Sequence, residues 1–283
     1  MTPHDETLDG GSGNAAQAED AAPGAELATN GIPNLRDVGG YVTADGRRVR
    51  RGLVYRSTAL DAASDADLRS LRERGIRTVV DLRTASERTS APDRLPEGAV
   101  AVDLDVMADS PGSSPAKLAE LAASPEQAVQ VLATTDVDAV FDRIYRELVS
   151  LPSARASYRA LFGALADEAS LPALYHCTTG KDRTGWATAA LLLLLGVDEP
   201  TVIEDYLLSN PYLEGKQEQL LRVFAAHGGD PERLKAMMGV KAEYLQSAIA
   251  EARSSYGTIE GYFTDGLGLG PDVQQRLREI FLD

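Results

Sequence analysis

The sequence holds a single cysteine, a single tryptophan and three histidines among 283 residues. One cysteine excludes an internal disulfide and any cysteine-rich metal site. His4, His176 and His227 stand too far apart in the chain to suggest a zinc-binding run. Basic residues are scarce as well: 28 Lys and Arg face 43 Asp and Glu, for a net charge of −15. Nucleic acid is therefore not an expected partner, because phosphate backbones are held by basic faces. Long apolar runs are also missing. The longest nearly unbroken one, Ala187–Val197, falls well short of the ~20 residues of a membrane span.

Residues 1–30 contain six acids, no Lys or Arg, and almost no large apolar side chain. Such a segment buries too little surface to offset its ordering entropy, so a disordered acidic tail is expected there. It has no basic start followed by an apolar run and does not read as a signal peptide. The expectation is a cytoplasmic chain, with signal-less export left open. The remainder, 31–283, reads as one domain with order beginning near Ile32.

Along that remainder, Ala44-Asp45-Gly46 marks a turn between two extended runs and suggests a hairpin. Ser64 can cap a helix carrying Leu68 and Leu71, which Gly75 ends. "IRTVVDL" and "GAVAVDLDV" follow as strand candidates, the first short and β-branched enough to be buried. Asp109 to Pro125, rich in Ser, Pro and Ala, is expected to be an irregular excursion. Val140, Ile144 and Leu148 then repeat at a spacing of four, as one face of a helix. A second helix carries Tyr158, Leu161, Phe162 and Leu165. "ALYHC" is a short strand, and "TGWATAALLLLLGV" a helix apolar on nearly every side, which places it in the middle of a core. Several more helical patterns fill the last third. The fold class implied is α/β, a mainly parallel sheet flanked by helices, with a helical extension over about 200–256.

The single cysteine lies in "YHCTTGKDRTG", Tyr175–Gly185, between the short strand and the buried helix. The first turn of a helix leaves backbone N–H groups without partners and carries partial positive charge. A loop wrapped onto such an end, here Thr178, Thr179, Gly180, Lys181 and Asp182, makes an anion cradle whose natural occupant is phosphate. Thiols at helix N-termini beside an arginine have pKa values lowered to about 3.5–7.5, so Cys177 is placed as a nucleophile aimed into the cradle. Arg183 is suited to hold two phosphoryl oxygens through its planar fork. Arginine and backbone dipoles supply the positive charge, so neither a metal nor another cofactor is required. A nucleotide P-loop needs Gly at 175 and Ser or Thr at 182; the chain has Tyr175 and Asp182.

"HCTTGKDRTG" resembles the HC-x5-R-[ST] loop of the cysteine-dependent protein tyrosine phosphatase superfamily, and its GKDRTG form resembles the bacterial tyrosine/lipid phosphatase branch. "NLRDVGGY" (Asn34–Tyr41), "GLVYRS" (Gly52–Ser57), "VVDLRT" (Val79–Thr84), "DYLLSN" (Asp205–Asn210) and "YGTIEGYF" (Tyr256–Phe263) are similar to it as well. The resemblance implies a phosphatase-like fold and a metal-independent phosphomonoesterase working through a cysteinyl-phosphate. Its substrates would be phosphorylated proteins, lipids or small molecules. It assigns Cys177 as nucleophile, Arg183 as phosphate clamp and Asp182 as general acid, with Asp136, Asp138 and Asp142 in reserve. Lys181 would add charge at the mouth, Thr184 would donate to the departing or sulfur-bound oxygen, and His176 would tune or pack beneath the loop. Asp81, Arg83, Arg36 and Arg56 are candidates for a supporting layer. Relatives of this branch can carry a helical lid, here Tyr206–Phe224 followed by Lys241–Tyr256. Alternatives are a small-molecule or phosphoinositide phosphatase, a binding module that retains the cradle without turnover, and rhodanese-like sulfur transfer.

Overall fold

A computed structural model describes residues 21–110 and 124–283, apart from the side chains of residues 216 and 217. The expectations for residues 1–20 and 111–123 lie outside the described residues. Five strands form the sheet: β1 (Arg36–Asp37), β2 (Val54–Ser57), β3 (Thr78–Asp81), β4 (Val100–Asp103) and β5 (Ala173–His176). Their order is β1-β2-β5-β3-β4, with β1 antiparallel to β2 and the other pairings parallel. The central strand β5 is thus flanked by β2 and β3, and His176 stands level with both Ser57 and Asp81.

The central strands are buried on both faces, as a parallel sheet with helices on either side requires. Alternate residues serve different layers. Tyr55, Val79 and Leu174 join a small cluster with Ile32, Leu60 and Leu71, the last from α1 (Asp65–Glu73). Val54, Val80 and Tyr175 face the main core. There they meet α4 (Val137–Ser150), α5 (Pro152–Leu165) and α6 (Arg183–Leu194). Between α1 and α4 lie α2 (Ala85–Ser90) and α3 (Pro125–Thr134). Helix α6 is buried at every position except half-buried Leu193. That explains why its sequence shows no polar face.

The cap predicted at Ser64 forms, as a capping box with Asp67, and Gly75 follows the helix with φ +73°. The hairpin around Asp45 forms: the Gly40, Val49 and Thr43 N–H groups donate across it to Val49 O (2.7 Å), Tyr41 O (2.8 Å) and Arg47 O (2.9 Å), and the returning chain also bridges the C-terminus at Val49 and Leu282. Residues 21–30, expected to share the tail's disorder, are instead packed. Glu26 bridges Arg36, the Leu27 N–H donates to Leu35 O (2.8 Å), and Leu27 leans on the small apolar cluster. The free edge of β1 supplies backbone partners that composition does not reveal.

The C-terminal part contains α7 (Glu199–Leu207), α8 (Ser209–Ala226), α9 (Pro231–Met238), α10 (Ala242–Tyr256), α11 (Ile259–Gly261) and α12 (Pro271–Phe281). Helix α10 packs on α4, and Tyr244 stacks on Phe141 at 4.7 Å between centroids. Tyr244, Leu245, Ala248, Ile249 and Ala252 are buried, so one face of Lys241–Tyr256 packs into the main core. No helix among the described residues is long and apolar enough to cross a membrane.

Helix α7 ties this extension to the sheet through a buried charge cluster. Asp205 meets Arg36 Nη1 (2.6 Å) through one oxygen and Arg56 Nη1 (3.0 Å) through the other, and Tyr41 OH also donates to it (2.7 Å). Burial would raise the pKa of Asp205, but the charges of Arg36 and Arg56 outweigh it and hold the carboxyl below its ordinary value. Removing the carboxylate leaves two buried guanidinium groups uncompensated. Asp205→Ala is expected to lower stability by about 3–5 kcal/mol in urea unfolding. A loss below about 1 kcal/mol contradicts the cluster's importance.

Candidate active site

The loop from Cys177 to Asp182 leaves the C-terminal end of β5 and runs into the first turn of α6. Gly180 has φ +66°, and a Cβ on it would lie 2.3 Å from the Ser57 carbonyl oxygen, so no other residue fits. Among the described residues, the N–H groups of Thr178 to Arg183 enter none of the backbone bonds of the neighbouring turns and strands. Two buried side-chain atoms at the same place also have no partner: Arg183 Nε and Thr184 Oγ1. Buried donors are ordinarily satisfied. An oxyanion in the loop would satisfy both. Cys177 is buried, Thr179 half-buried and Thr178 exposed, so the loop meets solvent along its Thr178–Thr179 side.

Arg183 is fixed by a residue that the sequence reading missed. Its Nη1 and Nη2 make a fork of 2.7 and 2.8 Å onto the two oxygens of Glu87, and Nη2 also reaches Thr178 Oγ1 (3.3 Å). Thr178 Oγ1 donates to Glu87 as well. Glu87 is the third residue of α2, where its carboxylate closes a capping box with Thr84. Burial alone would lower the pKa of Arg183; the Glu87 hydrogen bonds and the charges of Cys177, Glu87 and Asp182 reverse this and raise it above the ordinary arginine value. With both Nη atoms engaged, Nε is the guanidinium donor left for a ligand.

Asp182 occupies the N-cap of α6, yet its side chain does not cap that helix. Its Oδ1 accepts from Tyr145 OH (2.9 Å), and Oδ2 lies 3.8 Å from Lys181 Nζ. Lys181, expected at the mouth, is turned inward. Its Nζ donates to the carbonyls of Met237 (3.0 Å) and Gly239 (2.9 Å) at the end of α9 and sits 4.9 Å from the centre of the Phe141 ring. The carbonyls of a helix C-terminus and an aromatic face are the partners that let an ammonium group be buried. The reserve acids point elsewhere. Asp136 caps α4, Asp138 binds Lys241 and Tyr244, and Asp142 binds Arg146 and Ser247.

A profile of the tyrosine phosphatase family matches residues 27–283. The chain belongs to the tyrosine phosphatase family. It is 31% identical over 265 residues to a protein of Cupriavidus necator assigned as a tyrosine-protein phosphatase, with 88% of this chain and 86% of that one covered. It is 31% identical over 278 residues to the triple specificity protein phosphatase PtpB of Mycobacterium tuberculosis, covering 89% of this chain and 97% of that one. Among solved structures, TpbA of P. aeruginosa in complex with pTyr aligns with 70% of this chain and 96% of that one at 18% identity and a TM-score of 0.30, a superposition too loose to carry weight.

The motifs that accompany the loop in this phosphatase assemble beneath it. Arg56 Nη2 (2.7 Å) and Asn34 Nδ2 (3.2 Å) both donate to Gly180 O. On the other side, Arg83 forks onto Asp81 (2.7–3.0 Å) and reaches Asp93 (2.8 Å), which lies 3.1 Å from His176 Nε2. Asp81, Asp93 and His176 present ligand-type atoms within 4.8 Å of one another. The Arg83 guanidinium already spans the two carboxylates, so this donor set does not suit a metal cation. Asp81, Arg83 and Asp93 thus lie around His176, Arg36 and Arg56 around Asn34 and Gly180, and Glu87 against Arg183.

Burial opposes ionisation of Glu87, but hydrogen bonding and charge from Arg183, with help from Thr178 and the Thr84 amide, hold its pKa at about 2 against an ordinary 4.5. A depressed carboxylate stabilises the fold above its unfolded-state value, and that contribution is lost as pH falls toward 2. The loss is about 2–3 kcal/mol between pH 5 and 2. Glu87→Gln is expected to flatten that part of a stability–pH curve measured by denaturant unfolding. A curve parallel to the wild type contradicts the assignment.

Proposed function

We propose that this phosphatase hydrolyses phosphate monoesters on Cys177. The thiolate sulfur attacks phosphorus, the bond to the leaving oxygen breaks, and Asp182 gives that oxygen its proton. Water then attacks the cysteinyl-phosphate, returns a proton to Asp182, and releases phosphate and the thiolate. Arg183 Nε, Thr184 Oγ1 and the loop amides hold the non-bridging oxygens. Each such donor is worth about 2.7–4 kcal/mol in the transition state. The observation that carries this reading is the pair of buried, partnerless donors at a loop whose amides are also unused.

For substrate, the reading favoured is a single phosphate on a protein side chain, aryl monoesters first. Membership of the tyrosine phosphatase family supports it, and the triple specificity named for PtpB supports breadth beyond tyrosine. Lys181 bears on the phosphoinositide alternative. Its ammonium group is committed to Met237 O and Gly239 O, so it offers no free charge to a second phosphate in this conformation.

Cys177→Ser is expected to abolish turnover of p-nitrophenyl phosphate, by at least about 10³-fold, while retaining inorganic phosphate binding by calorimetry. Wild-type turnover should be unchanged by a chelator. Appreciable turnover by Cys177→Ser would falsify the mechanism. Parallel assays on phosphotyrosyl and phosphoseryl peptides, phosphoinositides and sugar phosphates decide the substrate class, and a preference for phosphoinositides contradicts the protein-directed reading.

A further inference from the structure

We propose that Tyr206 and Tyr145 form a one-way hydrogen-bond relay that positions Asp182 and fixes which of its oxygens carries the transferable proton. The inference rests on Asp182 being the acid of the reaction above. Tyr145 OH lies 2.9 Å from Asp182 Oδ1 and 2.5 Å from Tyr206 OH. A carboxylate can only accept, so the single proton of Tyr145 points to Oδ1. Tyr145 can then meet Tyr206 only as an acceptor, and the direction runs from Tyr206 through Tyr145 to Asp182. Tyr206 is itself buried and has no other hydroxyl partner among the described residues. Reversing the chain would strand its proton without an acceptor, at the cost of an unsatisfied buried group.

The consequence concerns the protonated acid. A proton on Oδ1 would face the Tyr145 proton, so the relay confines it to Oδ2. An aspartate at a helix N-cap ordinarily turns back onto its own amides. Tyr145 holds Asp182 away from them, which leaves the first turn of α6 open for an anion. Gly185 makes room for the arrangement, since a Cβ there would lie 3.0 Å from the Tyr206 ring. The charged and titratable groups around the acid are Cys177, Lys181 and Arg183 from the loop and α6, Tyr145 from α4, Tyr158 from α5, Tyr206 from α7 and Tyr244 from α10. Burial first, and then the Asp182 charge, push Tyr145 and Tyr206 well above the ordinary tyrosine pKa, so both remain protonated donors.

The test compares kcat/KM for phenyl phosphate, whose leaving group needs a proton, with p-nitrophenyl phosphate, whose leaving group needs one much less. Inhibition by inorganic phosphate serves as a check on the cradle. Tyr145→Phe keeps the ring and removes the donor. It is expected to lose about 10-fold on phenyl phosphate, at most about 2-fold on p-nitrophenyl phosphate, and nothing in phosphate inhibition. Tyr206→Phe should lose about 3-fold on phenyl phosphate, and the double variant should match Tyr145→Phe, because Tyr206 acts only through Tyr145. Equal losses on both substrates, or a double variant showing the product of the single effects, overturn the relay. If Tyr145→Phe fails to fold, the selectivity of Tyr206→Phe decides alone. Asp182→Asn separates the two readings. A selective loss there without one in Tyr145→Phe removes only the relay, and no selective loss in Asp182→Asn removes the acid and the relay together.

Discussion

A loop that turns its N–H groups toward an anion must turn carbonyl oxygens toward the protein, and those oxygens need donors there. Much of this chain answers that demand. Cys177 O lies 3.2 Å from His176 Nδ1, Thr178 O accepts from the Ala59 N–H (3.1 Å), and Arg183 O accepts from Tyr158 OH (3.0 Å). Gly180 O takes two donors, Arg56 and Asn34. Asn34 Oδ1 in turn accepts from Arg36 Nε (3.0 Å), and Asp205 joins Arg36 to Arg56. The three motifs around Asn34, Arg56 and Asp205 are apart in sequence, and their side chains form one network that ends on the Gly180 carbonyl.

The same layer carries an unusual load of buried charge. Arg36, Arg56, Arg83 and Arg183 are all at most 2% exposed, where an unpaired guanidinium would cost several kcal/mol. Each meets a carboxylate: Asp205, Asp81 with Asp93, or Glu87. Buried ion pairs add little net stability over apolar packing but fix geometry. Their concentration around one loop points to placement of the loop as the reason for them. Two guanidinium groups share Asp205, whereas Asp81 and Asp93 share the single guanidinium of Arg83, so the two excesses cancel within this layer.

The fold and the loop were legible because each rests on local pattern. The burial of α6 follows from its unbroken apolar run, and the position of Asp81 beside the central strand follows from "TVVD" being a short buried strand. Cys177, Arg183 and Gly180 could be read because spacing and a helix start sufficed. Glu87 could not. In "TASERTS" it looks like the third residue of an exposed, polar helix; the Thr84-x-x-Glu87 box signals the helix start but not an arginine 96 positions later. The resemblance puts Lys181 at the mouth, but its partners are backbone carbonyls at the end of α9, which carry no sequence signature. Asp138 and Asp142 had suitable chain positions, but Tyr244 and Ser247 of helix α10 bond to them, and that packing is a tertiary fact.

The account stands on an anion site at Cys177, and a crystal structure with orthovanadate tests it most directly. The predicted result is vanadium bonded to Cys177 Sγ, its equatorial oxygens on the loop amides, Arg183 Nε and Thr184 Oγ1, with Glu87 still on the far side of the guanidinium. Vanadate bound elsewhere while Cys177 stays free would contradict it.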